Sequence, residues 1–258
     1  MDLGLDKKVV LITGGSKGIG YACARLFQSE GADVGICSRS QANIDKAMVS
    51  LPGVRGYAAD VTSDEQAFDM IEKFEAELGP IDILVNSAGA AMRTPVQDLS
   101  PSAWRAAMDA KYFSYINVID PVIKRMAARG SGTIVNIIGN GGKVASPTHL
   151  AGGAANAALM LASVGLANAY ASKGVRVVGL NPGLTETDRV AEGIKAAAKL
   201  SGNTEEEALA DALQRIPIGR MAAPEDVANV VAFLSSSKAS YVTGVVITMD
   251  GAQVPIVV

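Results

Sequence analysis

Val9-Val10-Leu11-Ile12-Thr13-Gly14-Gly15-Ser16-Lys17-Gly18-Ile19-Gly20 decides how the rest of this chain is read. An aliphatic run short enough for a buried strand leads into a glycine-rich turn, and the turn opens a helical pattern over residues 19–30. Gly14 permits a tight turn, Gly18 lets the backbone approach a pyrophosphate, and Gly20 lets helix and strand pack closely. The N-terminus of the helix favours the phosphate charge. Glycines alone would describe any turn; the strand, loop and helix in sequence give them this reading.

Working outward, short β-branched runs alternate with longer helical patterns, which signals βαβ units and a parallel sheet. Strands are expected at residues 8–13, 33–38, 55–59, 81–86, 132–138, 175–180 and 245–249. Helices are expected at 64–78, with acids in the first turn and Gly79-Pro80 as the stop, at 101–129 after Ser100, and from Pro224 onward. No repeat, low-complexity tract or linker divides the chain. The expectation is therefore one α/β domain over residues 1–258, a doubly wound seven-stranded parallel sheet in the order 3-2-1-4-5-6-7. Residues 185–218, rich in Ala, Glu and Lys, are expected to form an inserted helical pair serving as a substrate lid.

Composition narrows the function. Of 258 residues, 49% are hydrophobic and 19% charged, which excludes a disordered chain. The net charge is −3 and no dense basic block is present, so no nucleic-acid partner is expected. Two cysteines, Cys23 and Cys37, with one histidine, His149, and no CxxC, exclude a disulfide framework and make a metal site improbable; a cytoplasmic location is the simplest reading. Residues 151–172 carry no charge, yet they are mostly Ala and Gly, include Asn156 and Asn168, and sit between strand patterns. They are expected to form a helix buried in the protein or at a subunit interface, not a membrane span.

Thr13-Gly14-Gly15-Ser16-Lys17-Gly18-Ile19-Gly20 has the spacing TGxxxGxG, and with it the chain resembles the short-chain dehydrogenase/reductase family over almost its whole length. Asp60-Val61 matches the family's adenine-contacting pair, and Asn86-Ser87-Ala88-Gly89 is similar to its NNAG segment. Asn181-Pro182-Gly183 with Thr185 and Thr187 resembles the family's PG motif beside the nicotinamide. Pro224-Glu225-Asp226 and Tyr241-Val242-Thr243-Gly244 through Asp250-Gly251 are similar to its C-terminal signatures. The resemblance implies a nicotinamide dinucleotide, a small-molecule carbonyl or alcohol substrate, and a homodimer or homotetramer meeting on the charge-free helix and its long neighbour. The expected cofactor contacts are Gly14, Ser16, Lys17, Gly18, Ile19, Gly20, Ser38, Arg39, Asp60, Val61, Asn86, Ala88, Gly89, Pro182, Gly183, Thr185 and Thr187. Cofactor choice follows from Gly35-Ile36-Cys37-Ser38-Arg39-Ser40, where an NAD site usually has an acid for the ribose hydroxyls. No acid is present, and Arg39 with Lys17 and Ser16 offers charge-assisted bonds to a 2′-phosphate, so NADP(H) is expected.

The catalytic half departs from the family pattern. No tyrosine in this chain is followed by lysine four residues on. Aligning Ile134-Val135-Asn136-Ile137-Ile138-Gly139 with the family's fifth strand puts the serine position on Gly139, the tyrosine position on Gly152 and the lysine position on Asn156. The family's helix asparagine falls on Lys111. Tyr170-Ala171-Ser172-Lys173 has the wrong spacing and lies at the far end of the helix, so it reads as packing with a C-terminal cation. The expected replacement is Lys111, partly desolvated and hydrogen-bonded to Asn156, with His149 or a water it orders as proton donor. Asn140, Ser146 and Thr148 are further candidates for binding substrate. Three functions stay open on these residues: a redox enzyme with a rebuilt acid/base site, an NADP-binding protein without redox chemistry, or a lyase or isomerase on the same scaffold.

Overall fold

A computed structural model describes residues 2–89 and 91–256. Seven strands form one sheet: β1 (Val9–Thr13), β2 (Asp33–Ser38), β3 (Arg55–Ala58), β4 (Ile83–Asn86), β5 (Gly132–Ile137), β6 (Val175–Pro182) and β7 (Val246–Met249). Their order is β3-β2-β1-β4-β5-β6-β7, every pair parallel, as the alternation of strand and helix patterns predicts. The aliphatic run of β1 shows why its residues are apolar on both sides. Val10 and Ile12 pack with α1 (Gly18–Ser29) and α9 (Pro224–Ser235) on one face, while Leu11 packs with α3 (Asp64–Leu78) and α5 (Ser114–Arg129) on the other.

Three local readings are corrected. The helix expected from residue 101 to 129 is two helices, α4 (Pro101–Met108) and α5, joined by one π-helical turn, Asp109–Phe113. Apolar periodicity continues through the turn, so it left no mark in the pattern. A short helix, α2 (Gln41–Met48), was not expected; it buries only Ile44 and Ala47, and Ser40 caps it by accepting the Asn43 amide at 3.3 Å. Strand β6 runs two residues further than expected, to Pro182, which carries the chain past the sheet edge toward the insertion.

The charge-free segment forms α6 (Leu150–Tyr170). It is long and apolar enough to cross a bilayer, yet Leu159, Met160 and Ala167 pack into the core cluster that includes Val175 and Val177. Its opposite side leaves Leu161 76% exposed. The insertion is the expected helical pair, α7 (Asp188–Ser201) and α8 (Glu205–Gln214), returned to the body by a parallel bridge between Thr185 and Ala222. Cys23 and Cys37 are both free, buried in the core, and burial pushes each thiol up to about 12.

A buried polar chain runs across the sheet at the C-terminal ends of the strands. Thr13 Oγ1 donates to Asn86 Oδ1, Asn86 Nδ2 to Asn136 Oδ1, and Asn136 Nδ2 to Ser163 Oγ at 2.9 Å. Thr13, Asn86 and Asn136 are lateral partners in the register of β1, β4 and β5, so the chain fixes those strand ends relative to one another and to α6.

Candidate active site

The C-terminal ends of β4, β5 and β6 open into a cavity of about 800 Å³, closed over by residues of the insertion. Such a crevice is where ligands bind in open α/β sheets. Of the expected cofactor contacts, Ile19, Gly89, Pro182, Gly183, Thr185 and Thr187 line it, as do the expected catalytic residues Lys111, His149 and Asn156.

The glycine loop fits a dinucleotide phosphate. Gly14 and Gly18 have φ of +68° and +53°, the left-handed region that favours glycine. A Cβ on Gly14 would stand 2.8 Å from the Ala88 amide nitrogen, and one on Gly20 would meet the Gly14 carbonyl group, so β1, β4 and α1 close on one another only with glycine there. Helix α1 begins without a side-chain cap and without an acid in its first turn, which leaves its N-terminal amides available to an anion. Ser16 and Lys17 sit in this loop, Lys17 exposed, and Thr187 packs over Gly18. At the end of β2, Ser38 is half-buried, and exposed Arg39 makes no ion pair among the described residues.

Other members of the expected set are placed differently. Asn86 is fully buried, and its side chain is committed to the polar chain between Thr13 and Asn136; it shapes the strand end without facing the cavity. Thr13 Oγ1 in turn accepts the Ser87 and Ala88 amides, each at 3.2 Å, which fixes the turn into Gly89. Asp60 Oδ1 accepts from the Thr62 amide and hydroxyl, while Val61 is buried. Both cap the end of β3, away from the cavity lining.

On the other side of the cavity, Lys111 departs from its expected bonding. It makes no hydrogen bond to Asn156; its Nζ donates to Tyr115 Oη at 2.9 Å and to the Ile137 carbonyl at 3.0 Å, and Tyr115 Oη donates to the same carbonyl. The π-turn sets Lys111 one helical turn before Tyr115, so both side chains reach the end of β5 together. Lys111 is 7% exposed, and burial, with the charge of Arg189 second, lowers its pKa to about 7.

His149 and Gly152 are one feature. A Cβ on Gly152 would lie 2.6 Å from His149 Nε2 and 2.8 Å from Nδ1, so the imidazole occupies the place where a side chain at 152 would begin. His149 Nδ1 is buried without a hydrogen-bond partner, as is Asn140 Oδ1. Orphaned polar atoms lining a cavity are unusual in a folded protein and are expected where a ligand completes them. Burial first, then the charges of Arg93, Arg189 and Lys111, hold the His149 pKa below its ordinary value. Gly139 has φ of +116°, a glycine conformation, and its amide donates to Asn181 Oδ1 at 3.2 Å. Asn156 is 5% exposed, against the glycines at 139, 141 and 142. Asn140 Nδ2 donates to Asp250 at 2.8 Å, and Ser146 and Thr148 share a hydrogen bond at the cavity rim. Tyr170 and Lys173 lie at the far end of α6 outside the cavity, with the ammonium over the Tyr170 ring.

Among the cavity residues that sequence reading missed are its three arginines, Arg93, Arg189 and Arg215. They come from separate segments with no shared motif, and nothing in their spacing distinguishes them from surface arginines.

The Enoyl-(Acyl carrier protein) reductase family model matches residues 14–252. The 3-oxoacyl-[acyl-carrier-protein] reductase FabG of Chlamydia muridarum is 34% identical over 254 residues, 96% of this chain and 98% of that protein. Among solved structures, L-sorbose reductase from Gluconobacter frateurii, complexed with NADPH and L-sorbose, superposes with a TM-score of 0.93 at 29% identity, covering all of both chains. A short chain dehydrogenase/reductase family protein superposes at 0.83 with 32% identity, covering 97% of this chain and 98% of that one. With a glycine loop shaped for a dinucleotide, a crevice at the strand ends and relatives matched end to end, the chain belongs to the short-chain dehydrogenase/reductase family of oxidoreductases.

Proposed function

We propose that this protein interconverts a carbonyl compound and its alcohol with NADP(H), using Lys111 and His149 for the proton where most relatives would use a tyrosine and a lysine on α6. The observation that carries this reading is the His149 imidazole in the space of a side chain at 152, with Nδ1 unpartnered beside the cavity that also holds the Lys111 ammonium. Arg39, with Ser16 and Lys17, supports the phosphorylated cofactor, since a free guanidinium at the end of β2 suits a 2′-phosphate and no acid stands there to hold the bare ribose.

A bound NADPH supplies hydride to the carbonyl carbon; the chain supplies the proton for the oxygen. Lys111 is suited to this, because a pKa of about 7 gives it both protonation states at neutral pH. An ammonium has three N–H groups. Two are taken by Tyr115 and Ile137, and the third is left for the substrate oxygen. His149, kept largely neutral, orients that oxygen or the water that relays the proton. Asn156 and the glycines at 139 and 152 keep the space clear, and residues 185–218 close it as a lid. The exposed side of α6, with Leu161, is assigned to subunit contact in a homodimer or homotetramer, and the reduced buried cysteines suit the cytoplasm.

Loss of reduced-nicotinamide absorbance with a panel of ketones and aldehydes tests this reading, alongside His149→Ala. The variant is expected to retain NADPH affinity within a few-fold and to lose about 10²-fold in turnover, the lower end for general acid–base catalysis. NADPH binding without turnover on any carbonyl would reject it.

A further inference from the structure

The cavity lining has a one-sided charge. Arg93, Lys111, Arg189 and Arg215 line it beside His149, and among the described residues no aspartate or glutamate does. Among the described residues none of the three arginines forms an ion pair, although the protein carries more acids than bases overall. Arg93 follows β4 and Arg189 lies in the first turn of α7, so the body and the insertion each contribute a guanidinium. Arg189 Nη2 donates to the Ala91 carbonyl at 3.2 Å, which brings its head group to the segment that carries Arg93.

Cations converging in one cavity raise one another's energy; the charge of Glu192 is felt at Arg189 but makes no ion pair with it, and an anion bound among the cations lowers that cost. A guanidinium presents parallel donors that match a carboxylate or phosphate in a two-point fork. Two such groups on separate segments, with Lys111 and His149 deeper in the same cavity, make a site for a small molecule charged at one end and reactive at the other. We infer that the carbonyl substrate is anionic and that Arg93 and Arg189 bind its carboxylate or phosphate, placing its carbonyl oxygen at Lys111. This rests on the reductase reading for the carbonyl end; the anion site itself stands on the arginines. The charges of Arg93 and Arg189 are also felt at His149, and that of Arg189 at Lys111, so the pair acts on the proposed proton-transfer end of the same cavity.

The same chemistry would serve a cofactor phosphate, so the test separates the two sources. Malonate, a non-reducible dianion, and NADPH are each titrated calorimetrically into wild-type protein and into Arg93→Gln, Arg189→Gln and the double variant, malonate with NADP+ present. Both arginines are exposed and unpaired, and glutamine keeps the stem, so the fold is expected to survive; thermal melting checks this. The expected result is malonate binding that weakens about tenfold or more in each variant, with NADPH affinity within threefold of wild type. In turnover, a 2-oxo acid is expected to be reduced with a lower KM than its methyl ester, a preference lost in Arg189→Gln. Malonate binding unaffected by the variants, no malonate binding at all, or an equal loss of NADPH affinity would overturn the assignment. Arginine-dependent malonate binding in a protein that reduces no carbonyl would keep the anion site and reject the reductase reading; turnover of neutral ketones indifferent to the arginines would do the reverse.

Discussion

The loops at residues 14–20 and 139–142 are both glycine-rich turns that follow a parallel strand, and they are glycine-rich for different reasons. In the first, added Cβ atoms at Gly14 and Gly20 would meet backbone, the Ala88 amide in one case and the Gly14 carbonyl group in the other. In the second, a Cβ on Gly142 would also meet backbone, the Ala157 amide nitrogen at 2.7 Å, but one on Gly141 would meet only side chains, His149 Cδ2 at 3.1 Å and Asn156 Nδ2 at 3.2 Å. Backbone cannot move aside without disturbing the sheet, whereas side chains can change rotamer or be exchanged. The first loop is therefore fixed at Gly14 and Gly20, whereas the second is fixed at Gly142 and open to exchange on the Gly141 side, where His149 and Asn156 stand.

The largest expected effect lies on the exchangeable side. Lys111→Met should lower turnover by about 10²–10⁴-fold, the range for loss of a general acid, while NADPH affinity stays within a few-fold in direct titration. With the ammonium as the proposed donor, reduction by wild type should slow as pH rises through about 7. Stability carries the matching sign. Folded Lys111 titrates near 7 and unfolded Lys111 at the ordinary lysine value of 10.5, so the unfolded state binds more protons between those values. Wild-type stability should gain from this residue as pH climbs across that window, and denaturant melts of Lys111→Met should lack the gain.

On the fixed side, Gly14→Ala should cost about 3 kcal/mol or more, combining a positive φ with a backbone clash, and should lose nucleotide binding. Gly141→Ala should cost about 1 kcal/mol and change turnover more than stability, because only side chains must shift. Equal melting temperatures for the two variants would erase the distinction between the loops. Arg39→Ala should weaken NADPH by about 10- to 150-fold and NADH far less, read by competition titration. Equal losses would remove the 2′-phosphate from Arg39. Ser163→Ala, which strands Asn136 Nδ2, should cost about 1–2 kcal/mol in chemical denaturation with KM unchanged, since the polar chain lies under the site and not in it.

The same contrast explains what was legible in the sequence. Sheet order, the glycine loop and the insertion were readable because each follows from local rules: period, turn chemistry and the handedness of βαβ crossovers. Counting along the chain also gave the expectation that Gly139, Gly152 and Asn156 hold the family's catalytic positions, and the structure places Gly139 and Asn156 at the cavity with His149 against Gly152. What bonds to Lys111 was not, because Tyr115 and the Ile137 carbonyl reach it only through the π-turn, and an apolar period carries no sign of one extra residue per turn. The side-chain partners of Asn86, an expected cofactor contact, are its neighbours in the sheet, since motif position says which strand end a residue occupies and not which way its amide is satisfied. Arg93 and Arg189 meet only in three dimensions.

The π-turn at Asp109–Phe113 gives the molecule an adjustable joint. An α-helix advances about 100° per residue, so removing a single residue there would let α4 and α5 fuse into one regular helix and rotate everything before the joint by roughly that angle relative to everything after it. Ser114 onward would stay seated on the sheet through Tyr115, Val118 and Val122, while Ala107 would swing away from the small cluster it forms with Ala91 and Ala151. Lys111 would leave the end of β5 with it. Deleting one residue at this joint, with no substitution elsewhere, is thus expected to withdraw the ammonium from the cavity, and on the proposed role of Lys111 turnover should fall with it.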